Sequence, residues 1–246
     1  MRDKINQLKN SSNDRVTFCV ELINKFELST VAEVGVFRGD FAEKVLRKCE
    51  AIERYTMIDP WRNLSDWNKP SNKKNSTFEE FFQETMQKTE FVKEKRKVLR
   101  GKTTEIIGQI EDNTYDFVYI DGDHTLRGIS IDLINLWPKV KSTGFIVGDD
   151  FSPSIWQHSR EFEPTMVFPF AVYFAEALNV KIYALPYNQF LIAKGDTGFE
   201  FIDLTHGKYN DLDLRAQLLN APGSGFKQFI KKRMPFVKRI YSAIKK

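Results

Sequence analysis

The 246-residue chain is 41% hydrophobic and has a formal net charge of +4, a composition typical of an ordinary globular protein. Such a length allows one domain that buries roughly 70–75% of its unfolded surface. The two cysteines, Cys19 and Cys49, provide neither zinc-site spacing nor a disulfide framework, so a reducing cytoplasmic location is expected. No apolar run reaches ~18 residues and the N-terminus lacks an apolar signal core, which predicts neither a membrane span nor secretion.

Three segments are expected along the chain. Residues 1–28 form an N-terminal helical segment, in which residues 15–26 have the apolar spacing of an amphipathic helix. Residues 29–195 contain the predicted strands and form the central domain. Residues 196–246 form a C-terminal extension.

A strand, a glycine-containing turn and a helix open the central domain. Residues 30–36, TVAEVGV, are apolar and β-branched, Gly35 and Gly39 mark the turn, and residues 40–48 are good helix formers. The next strand, residues 54–59, ends in an acid. A glycine turn lets the backbone approach a ligand, and an acid at the end of the second strand can accept hydrogen bonds from a ribose diol. The pattern predicts a nucleoside-containing cofactor.

Glu33 distinguishes between two kinds of cofactor. A dinucleotide-binding turn has glycine where this chain has the glutamate of Glu33-x-Gly35-x-x-x-Gly39. A carboxylate would repel a pyrophosphate, but it would attract the ammonium or the sulfonium group of S-adenosylmethionine. The turn therefore favours S-adenosylmethionine over NAD. The structural alternatives are that Glu33 caps the turn and that Asp59 forms an Asx turn before Pro60.

Residues 60–95 form an insertion between the second and third predicted strands. Its first part is polar and rich in asparagine, and residues 77–95 have a helical pattern that carries four phenylalanines. Two interpretations stay open. The insertion is a lid over the cofactor, or it is a surface segment whose phenylalanines pack in the core.

Two further apolar runs, residues 116–121 and 144–149, end in acids. They are short and rich in aromatic and β-branched residues, as buried parallel strands are, and residues 126–137 between them have helical spacing. Ligands bind at the carboxyl edge of open α/β sheets. We expect the polar residues that follow these strands to gather there: Asp121, Asp123, His124, Asp149 and Asp150. Such hard oxygen ligands suit Mg²⁺, and no Cys/His cluster indicates zinc.

Five segments in succession resemble the motifs of class I S-adenosylmethionine-dependent methyltransferases: AEVGVFRGDFAEKVL, YTMIDPW, LRGKTTEII, YDFVYIDGDHTLRGISIDL and STGFIVGDDF. They are most similar to sugar O-methyltransferases of the macrocin and mycinamicin type, and the resemblance covers residues 31–194. It implies an α/β, Rossmann-like fold with a seven-stranded, mostly parallel sheet. Helices would cover both faces of this sheet, and an antiparallel C-terminal hairpin, residues 180–185 and 189–193, would close it.

The resemblance also implies a role for each residue at the sheet edge. Cofactor binding would fall to Glu33, Gly35 and Gly39 around the methionine, Asp59 at the ribose, Thr103 at the adenine, and Asp121. The metal ligands would be Asp121, Asp149 and Asp150, and His124 would be the general base, with Asp121 beside it in catalysis. Three alternatives stay open: Asp123 as the ligand in place of Asp121, a helix-capping role for His124, and a site without metal.

The expected reaction is methyl transfer to a hydroxyl group of a small molecule, a sugar or a glycan precursor. Displacement at a sulfonium needs a good nucleophile, whereas a sugar hydroxyl is protonated at neutral pH. A bound Mg²⁺ ion would lower the pKa of a coordinated oxygen, and a histidine would accept the proton.

The last 20 residues carry eight basic side chains and no acid, with apolar residues interleaved. This pattern is typical of a basic amphipathic helix, which can lie on an anionic membrane surface or dock on the core or in a homo-oligomer. It would also suit an RNA methyltransferase or a binding module that has lost catalysis. The acids at the expected active edge would repel phosphates and so disfavour nucleic acid.

Overall fold

The computed structural model describes residues 1–220, which form eight strands and eight α-helices. The strands are β1 Thr30–Val34, β2 Arg54–Asp59, β3 Arg96–Arg100, β4 Tyr115–Ile120, β5 Val140–Gly148, β6 Val180–Leu185, β7 Gln189–Thr197 and β8 Glu200–Asp203. The helices are α1 Arg2–Ser11, α2 Arg15–Lys25, α3 Asp40–Lys48, α4 Asn75–Lys88, α5 Thr103–Ile106, α6 Leu126–Leu136, α7 Val167–Ala177 and α8 Leu214–Leu219.

All eight strands belong to one sheet with the order β3-β2-β1-β4-β5-β7-β6-β8. The first five strands are parallel to one another, and β7 lies antiparallel between β5 and β6. The predicted α/β class, the mostly parallel sheet and the C-terminal hairpin are therefore confirmed.

The sheet has one strand more than the seven predicted. The additional strand, β8, pairs in parallel with β6 and covers what would otherwise be an exposed edge. Its two apolar residues pack on opposite faces of the sheet, Ile202 in one core cluster and Phe201 against the other. A four-residue strand with two apolar residues gives too weak a periodic signal to predict from sequence.

Helices cover both faces of the sheet. Apolar residues of α1, α2, α3 and α4 form one core cluster with one face. Those of α5, α6 and α7 form a second cluster with the other face. Because both faces are covered, the central strands are mostly apolar and do not alternate with polar residues, as is typical of parallel strands buried on two sides.

The turn after β1 brings the ends of β1 and β4 into close contact. Gly35 has φ +87°, and a Cβ atom placed there would lie 2.0 Å from the carbonyl oxygen of Asp121. Gly39 begins α3 with φ +75°, and its Cβ would lie 2.9 Å from the side chain of Thr85 in α4. Only glycine satisfies both the backbone conformation and the available space.

The predicted insertion divides into two parts. Residues 60–74 contain no regular secondary structure and lie at the carboxyl edge of the sheet, whereas α4 packs on the core through Phe78. At this edge Lys69 donates a hydrogen bond to the carbonyl oxygen of Glu163 at 2.8 Å, so the loop contacts the segment that follows β5.

Within residues 1–220, no helix has both the length and the apolar character that crossing a membrane demands. The basic tail that the sequence predicts lies outside the described residues.

Candidate active site

A cavity of about 430 Å³ opens at the carboxyl edge of the parallel strands. Its walls come from the turns after β1, β2, β3 and β4, from residues 60–74 and from the first turns of α6. Seven residues that the sequence predicted at this edge line it together: Gly35, Asp59, Thr103, Asp121, Asp123, His124 and Asp150. Glu33, Gly39 and Asp149 are not among its lining residues.

His124 lies between two carboxylates. Its Nδ1 atom is 2.5 Å from Oδ2 of Asp150, and its Nε2 atom is 3.4 Å from Oδ1 of Asp121. The Nε2 atom is buried and makes no hydrogen bond to any described residue. When the imidazole is neutral, a hydrogen bond from Nδ1–H to Asp150 selects the tautomer whose Nε2 carries the lone pair.

The two carboxylates control the pKa of the imidazole. Burial alone would lower the pKa of His124, but the interactions of the ring with the carboxylates of Asp121 and Asp150 outweigh it and raise the pKa to about 10. Burial likewise opposes ionisation of Asp150, yet the hydrogen bond with His124 lowers the pKa of that carboxyl group. The ligand-free site therefore holds an imidazolium between two carboxylates at neutral pH.

The same three side chains have the geometry of a cation site. Asp121, His124 and Asp150 each offer one ligand atom, and these atoms lie within 4.8 Å of one another. The unpartnered Nε2 atom fits this interpretation once the ring has lost its proton, since a metal ligand needs a free lone pair. Because imidazole nitrogen suits transition metals better than Mg²⁺, this donor set fits Mn²⁺ more closely than the predicted set of three carboxylates would.

Asp149, which the sequence placed among the metal ligands, has a different partner. It is buried and forms an ion pair with Arg15 of α2. The same guanidinium lies 3.4 Å from Oδ2 of Asp121. Arg15 therefore supplies a positive charge to the acidic edge, and Asp149 lies outside the group that could hold a cation.

Asp123 is committed to structural hydrogen bonds. Its Oδ1 accepts from the indole N–H of Trp67 at 2.9 Å and from the backbone N–H of Thr125 at 3.0 Å. Its Oδ2 accepts from the Thr125 hydroxyl at 3.0 Å. These contacts tie residues 60–74 to the start of α6, which favours a structural role over the open alternative of metal binding.

Asp59 lies at the end of β2, as predicted for a ribose-binding residue. Its Oδ2 accepts from the backbone N–H of Phe37 at 2.9 Å and its Oδ1 from that of Trp61 at 2.7 Å. Burial raises the pKa of this carboxyl group, and the two N–H donors offset part of the rise. The hydrogen bonds fix the carboxylate against the turn after β1, where it lines the cavity.

Glu33 points into the core and away from the cavity lining. It is 1% exposed, and its Oε2 accepts a hydrogen bond from the hydroxyl of Tyr55 at 2.6 Å. Burial raises the pKa of Glu33 well above its usual range, because no described cation is close enough to offset it fully. Its predicted contact with the methionine part of the cofactor stays a prediction.

Thr103, which is predicted to border the adenine, makes a hydrogen bond to Asp132, a residue that the sequence analysis did not identify. Its hydroxyl donates to Oδ1 of Asp132 in α6 at 2.5 Å. A signal for Asp132 was present, since this acid lies within the apolar stripe that contains Ile129 and Leu133. Arg15 and Lys69 were also missed, and their spacing along the sequence gave no signal because their partners are remote segments.

Comparison with known proteins agrees with this architecture. Residues 32–151 match a family model described as a methyltransferase domain. These residues lie inside the predicted central domain, residues 29–195, whose boundaries stay a prediction. No curated protein matches the chain.

Several solved structures share the fold. A candidate caffeoyl-CoA O-methyltransferase from Staphylococcus aureus is 16% identical with a TM-score of 0.57, over 78% of this chain and 88% of that one. The O-methyltransferase TomG of Streptomyces achromogenes, solved with S-adenosylmethionine, is 14% identical with a TM-score of 0.53, over 78% and 87%. The methyltransferase PaMTH1 of Podospora anserina, bound to S-adenosylhomocysteine, is 11% identical with a TM-score of 0.50, over 78% and 86%. At these identities the likeness establishes the fold.

Proposed function

We propose that this chain is a class I S-adenosylmethionine-dependent methyltransferase that transfers a methyl group to a hydroxyl oxygen of a small molecule. The observation that carries the proposal is the buried Nε2 atom of His124, which lies at the cavity wall while Nδ1 is held by Asp150. Such an arrangement suits a general base for a hydroxyl group. The neighbour TomG, an O-methyltransferase of tomaymycin synthesis, supports a small-molecule acceptor.

S-Adenosylmethionine supplies an electrophilic methyl group on a positively charged sulfur. The residues of the chain then have to orient the acceptor hydroxyl and remove its proton. His124 can do so only in its neutral form, and its raised pKa of about 10 keeps it protonated in the ligand-free site. A positive charge bound beside Asp121 would weaken the attraction between that carboxylate and the imidazolium, so cofactor binding would lower the pKa of His124. Deprotonation is thereby coupled to cofactor binding.

As an alternative to the histidine base, we propose that a divalent cation is held by Asp121, His124 and Asp150. The cation would take the Nε2 lone pair of His124, so it would replace the histidine in activating the hydroxyl group. Mg²⁺ is the expected ion from the acidic character of the edge, and the imidazole ligand makes Mn²⁺ the stronger competitor. The cation would supply Lewis-acid stabilisation of a developing oxyanion. Asp149 would act indirectly by holding Arg15 near Asp121.

The acceptor class is proposed from the resemblance to sugar-methylating enzymes. A sugar or glycan precursor presents several hydroxyl groups, which suits a cavity with acidic and imidazole groups at one end. We also propose that the basic tail contacts an anionic membrane or takes part in self-association. Both proposals come from the sequence pattern, and the tail lies outside the described residues.

Calorimetric titration of the purified chain with S-adenosylhomocysteine tests the cofactor, with NAD as the control and with or without Mg²⁺ or Mn²⁺. Micromolar binding of S-adenosylhomocysteine and no binding of NAD are expected. Sugar nucleotides, small hydroxylated acceptors and RNA are then compared as methyl acceptors. Failure to bind S-adenosylhomocysteine under every condition, or methylation of RNA alone, contradicts the proposal.

The base is tested by His124→Ala. We expect kcat to fall by about 10²–10⁴-fold, because proton removal is lost, with little change in the affinity for S-adenosylhomocysteine. His206→Asn is the matched control, since His206 is exposed and has φ +63°, a conformation that asparagine accepts. Full activity of His124→Ala would exclude His124 as the base.

A further inference from the structure

Asp132 is a buried carboxyl group that lines the cofactor cavity and has no part in the proposed chemistry. It is 5% exposed, and it lies in the second turn of α6 beyond the acidic edge. The hydroxyl of Thr103 donates to Oδ1, and this is the only hydrogen bond that any described residue makes to the carboxyl group. Oδ2 is therefore left without a partner at the cavity wall.

Such a buried carboxyl group destabilises the folded chain unless a bound ligand supplies the missing hydrogen-bond donor. Burial raises the pKa of Asp132 to about 7, and the hydrogen bond from Thr103 and the charge of His124 compensate only in part. Asp123 adds a repulsive negative charge. A buried polar group with an open hydrogen-bonding position, aimed into a cavity, is well placed to bind a complementary donor.

The cavity that Asp132 lines also has apolar and glycine residues in its wall. Val34, Ile58 and Ile131 contribute apolar side chains. Gly101, Gly122 and Gly128 line it without a side chain. A Cβ atom at Gly122 would lie 3.2 Å from Oδ2 of Asp132, so the absence of a side chain there keeps the approach to this oxygen open.

We propose that Asp132 recognises the exocyclic amino group of the cofactor's adenine, which donates a hydrogen bond to Oδ2. The inference rests on the proposed binding of S-adenosylmethionine and adds the residue that selects its base. Thr103 acts as a positioning residue, because its hydroxyl fixes Oδ1 and leaves Oδ2 directed at the ring. The two residues together join α5 to α6 at the base end of the cavity.

This geometry makes the site selective for an amino group. A hypoxanthine ring carries a carbonyl oxygen in place of the amino group, so two acceptors would face each other and the oxygen of Asp132 would lose its donor. The substitution Asp132→Asn should reverse this preference for an amino group over a carbonyl oxygen. The asparagine Oδ1 still accepts from Thr103, and its amide N–H₂ then faces the ring as a donor.

The test is calorimetric titration at pH 8 with S-adenosylhomocysteine and S-inosylhomocysteine. The wild-type chain should bind the adenosine compound at least tenfold more tightly. Asp132→Asn should lose this preference or reverse it. Asp211→Asn is the control, because Asp211 is exposed and has φ +57°, and it should keep the wild-type preference.

Each result decides between the two proposals. Equal binding of both compounds by the wild-type chain overturns the role of Asp132, and this comparison does not depend on how any variant folds. An unchanged preference in a folded Asp132→Asn chain also overturns that role, while the methyltransferase assignment stands. Binding of neither compound by the wild-type chain defeats the proposed cofactor itself.

Discussion

At the scale of single residues, the partners of each buried carboxyl group decide its chemistry. Burial favours the neutral acid everywhere, and it raises the pKa values of Glu33, Asp59 and Asp132. At Asp150 the hydrogen bond with His124 outweighs burial, so that group alone among these four has a lowered pKa. One edge of the sheet therefore contains both a reliably ionised carboxylate and an acid that titrates near neutral pH.

Asp132 should make the stability of the chain depend on pH. Because the pKa of Asp132 is about 7 in the folded chain and 3.8 for an ordinary aspartate, the native state binds the proton more tightly than the unfolded chain. Stability is therefore highest below about pH 4, falls as the pH rises to about 7, and then levels off with respect to this group. Between pH 5 and pH 8 the loss is roughly 2–3 kcal/mol, from 1.36 kcal/mol per pKa unit.

Asp132→Asn should remove this dependence. Relative to the wild-type chain, the variant's free energy of unfolding should increase by roughly 2–3 kcal/mol on going from pH 5 to pH 8. Urea denaturation at both pH values measures it, with Asp211→Asn as the control. A difference between variant and wild type that does not change with pH would show that Asp132 is not protonated in the folded state.

At the scale of elements, the turn after β1 joins two strand ends that carry different parts of the site. Backbone hydrogen bonds link Gly35 N to Ile58 O and Asp121 N to Val34 O, so β1, β2 and β4 end in register. The loop after β4 can then lie directly against the turn after β1. The close approach requires Gly35 to have no side chain.

Gly35→Ala should therefore disrupt both packing and ligand binding. Its Cβ would lie 2.0 Å from the carbonyl oxygen of Asp121 at a φ of +87°, so we expect a loss of roughly 3 kcal/mol or more. Affinity for S-adenosylhomocysteine should fall with it. Gly108→Ala is the control, because nothing lies within 4 Å of a Cβ atom at that position. Equal unfolding midpoints for the two variants would contradict this account.

At the scale of the whole molecule, remote segments meet above the cavity. The ammonium of Lys69 is buried and donates to Glu163 O, and the side chain of Asn68 donates to Glu161 O at 2.5 Å. The loop after β2 is thus tied to the loop after β5, across the site. Opening these contacts would expose the cavity, which is consistent with the predicted role of the insertion as a lid.

Lys69→Met should loosen this closure while preserving the apolar stem of the side chain. Amide hydrogen exchange in residues 62–72 and 159–165 should quicken roughly 10- to 100-fold, because a hydrogen bond from a charged donor contributes about 1.5–3 kcal/mol. Lys73→Met is the control, since Lys73 is exposed and, among the described residues, its ammonium donates only to Pro70 O within its own loop. Identical exchange rates in the two variants would contradict the inference that Lys69 holds the loop after β2 against the loop after β5.

The sequence by itself determined the order of the elements and the edge at which the site lies. Apolar runs, glycine turns and strand-terminal acids are local signals, and they correctly predicted β2, α3 and β6 residue for residue. They also located Asp121, His124 and Asp150 together, because parallel strands end at one edge. The short strand β8 carried too few apolar residues to be predicted.

Only the tertiary structure decided where the acids point and what they bind. Asp149 meets Arg15 from a helix that precedes the sheet, and Glu33 turns into the core to meet Tyr55. Asp132 finds Thr103 across two helices. Sequence spacing fixes which strand end carries an acid, but the ionisation and hydrogen bonding of that acid depend on partners up to 134 positions away in the chain. Those partners are set by packing, which local patterns do not encode.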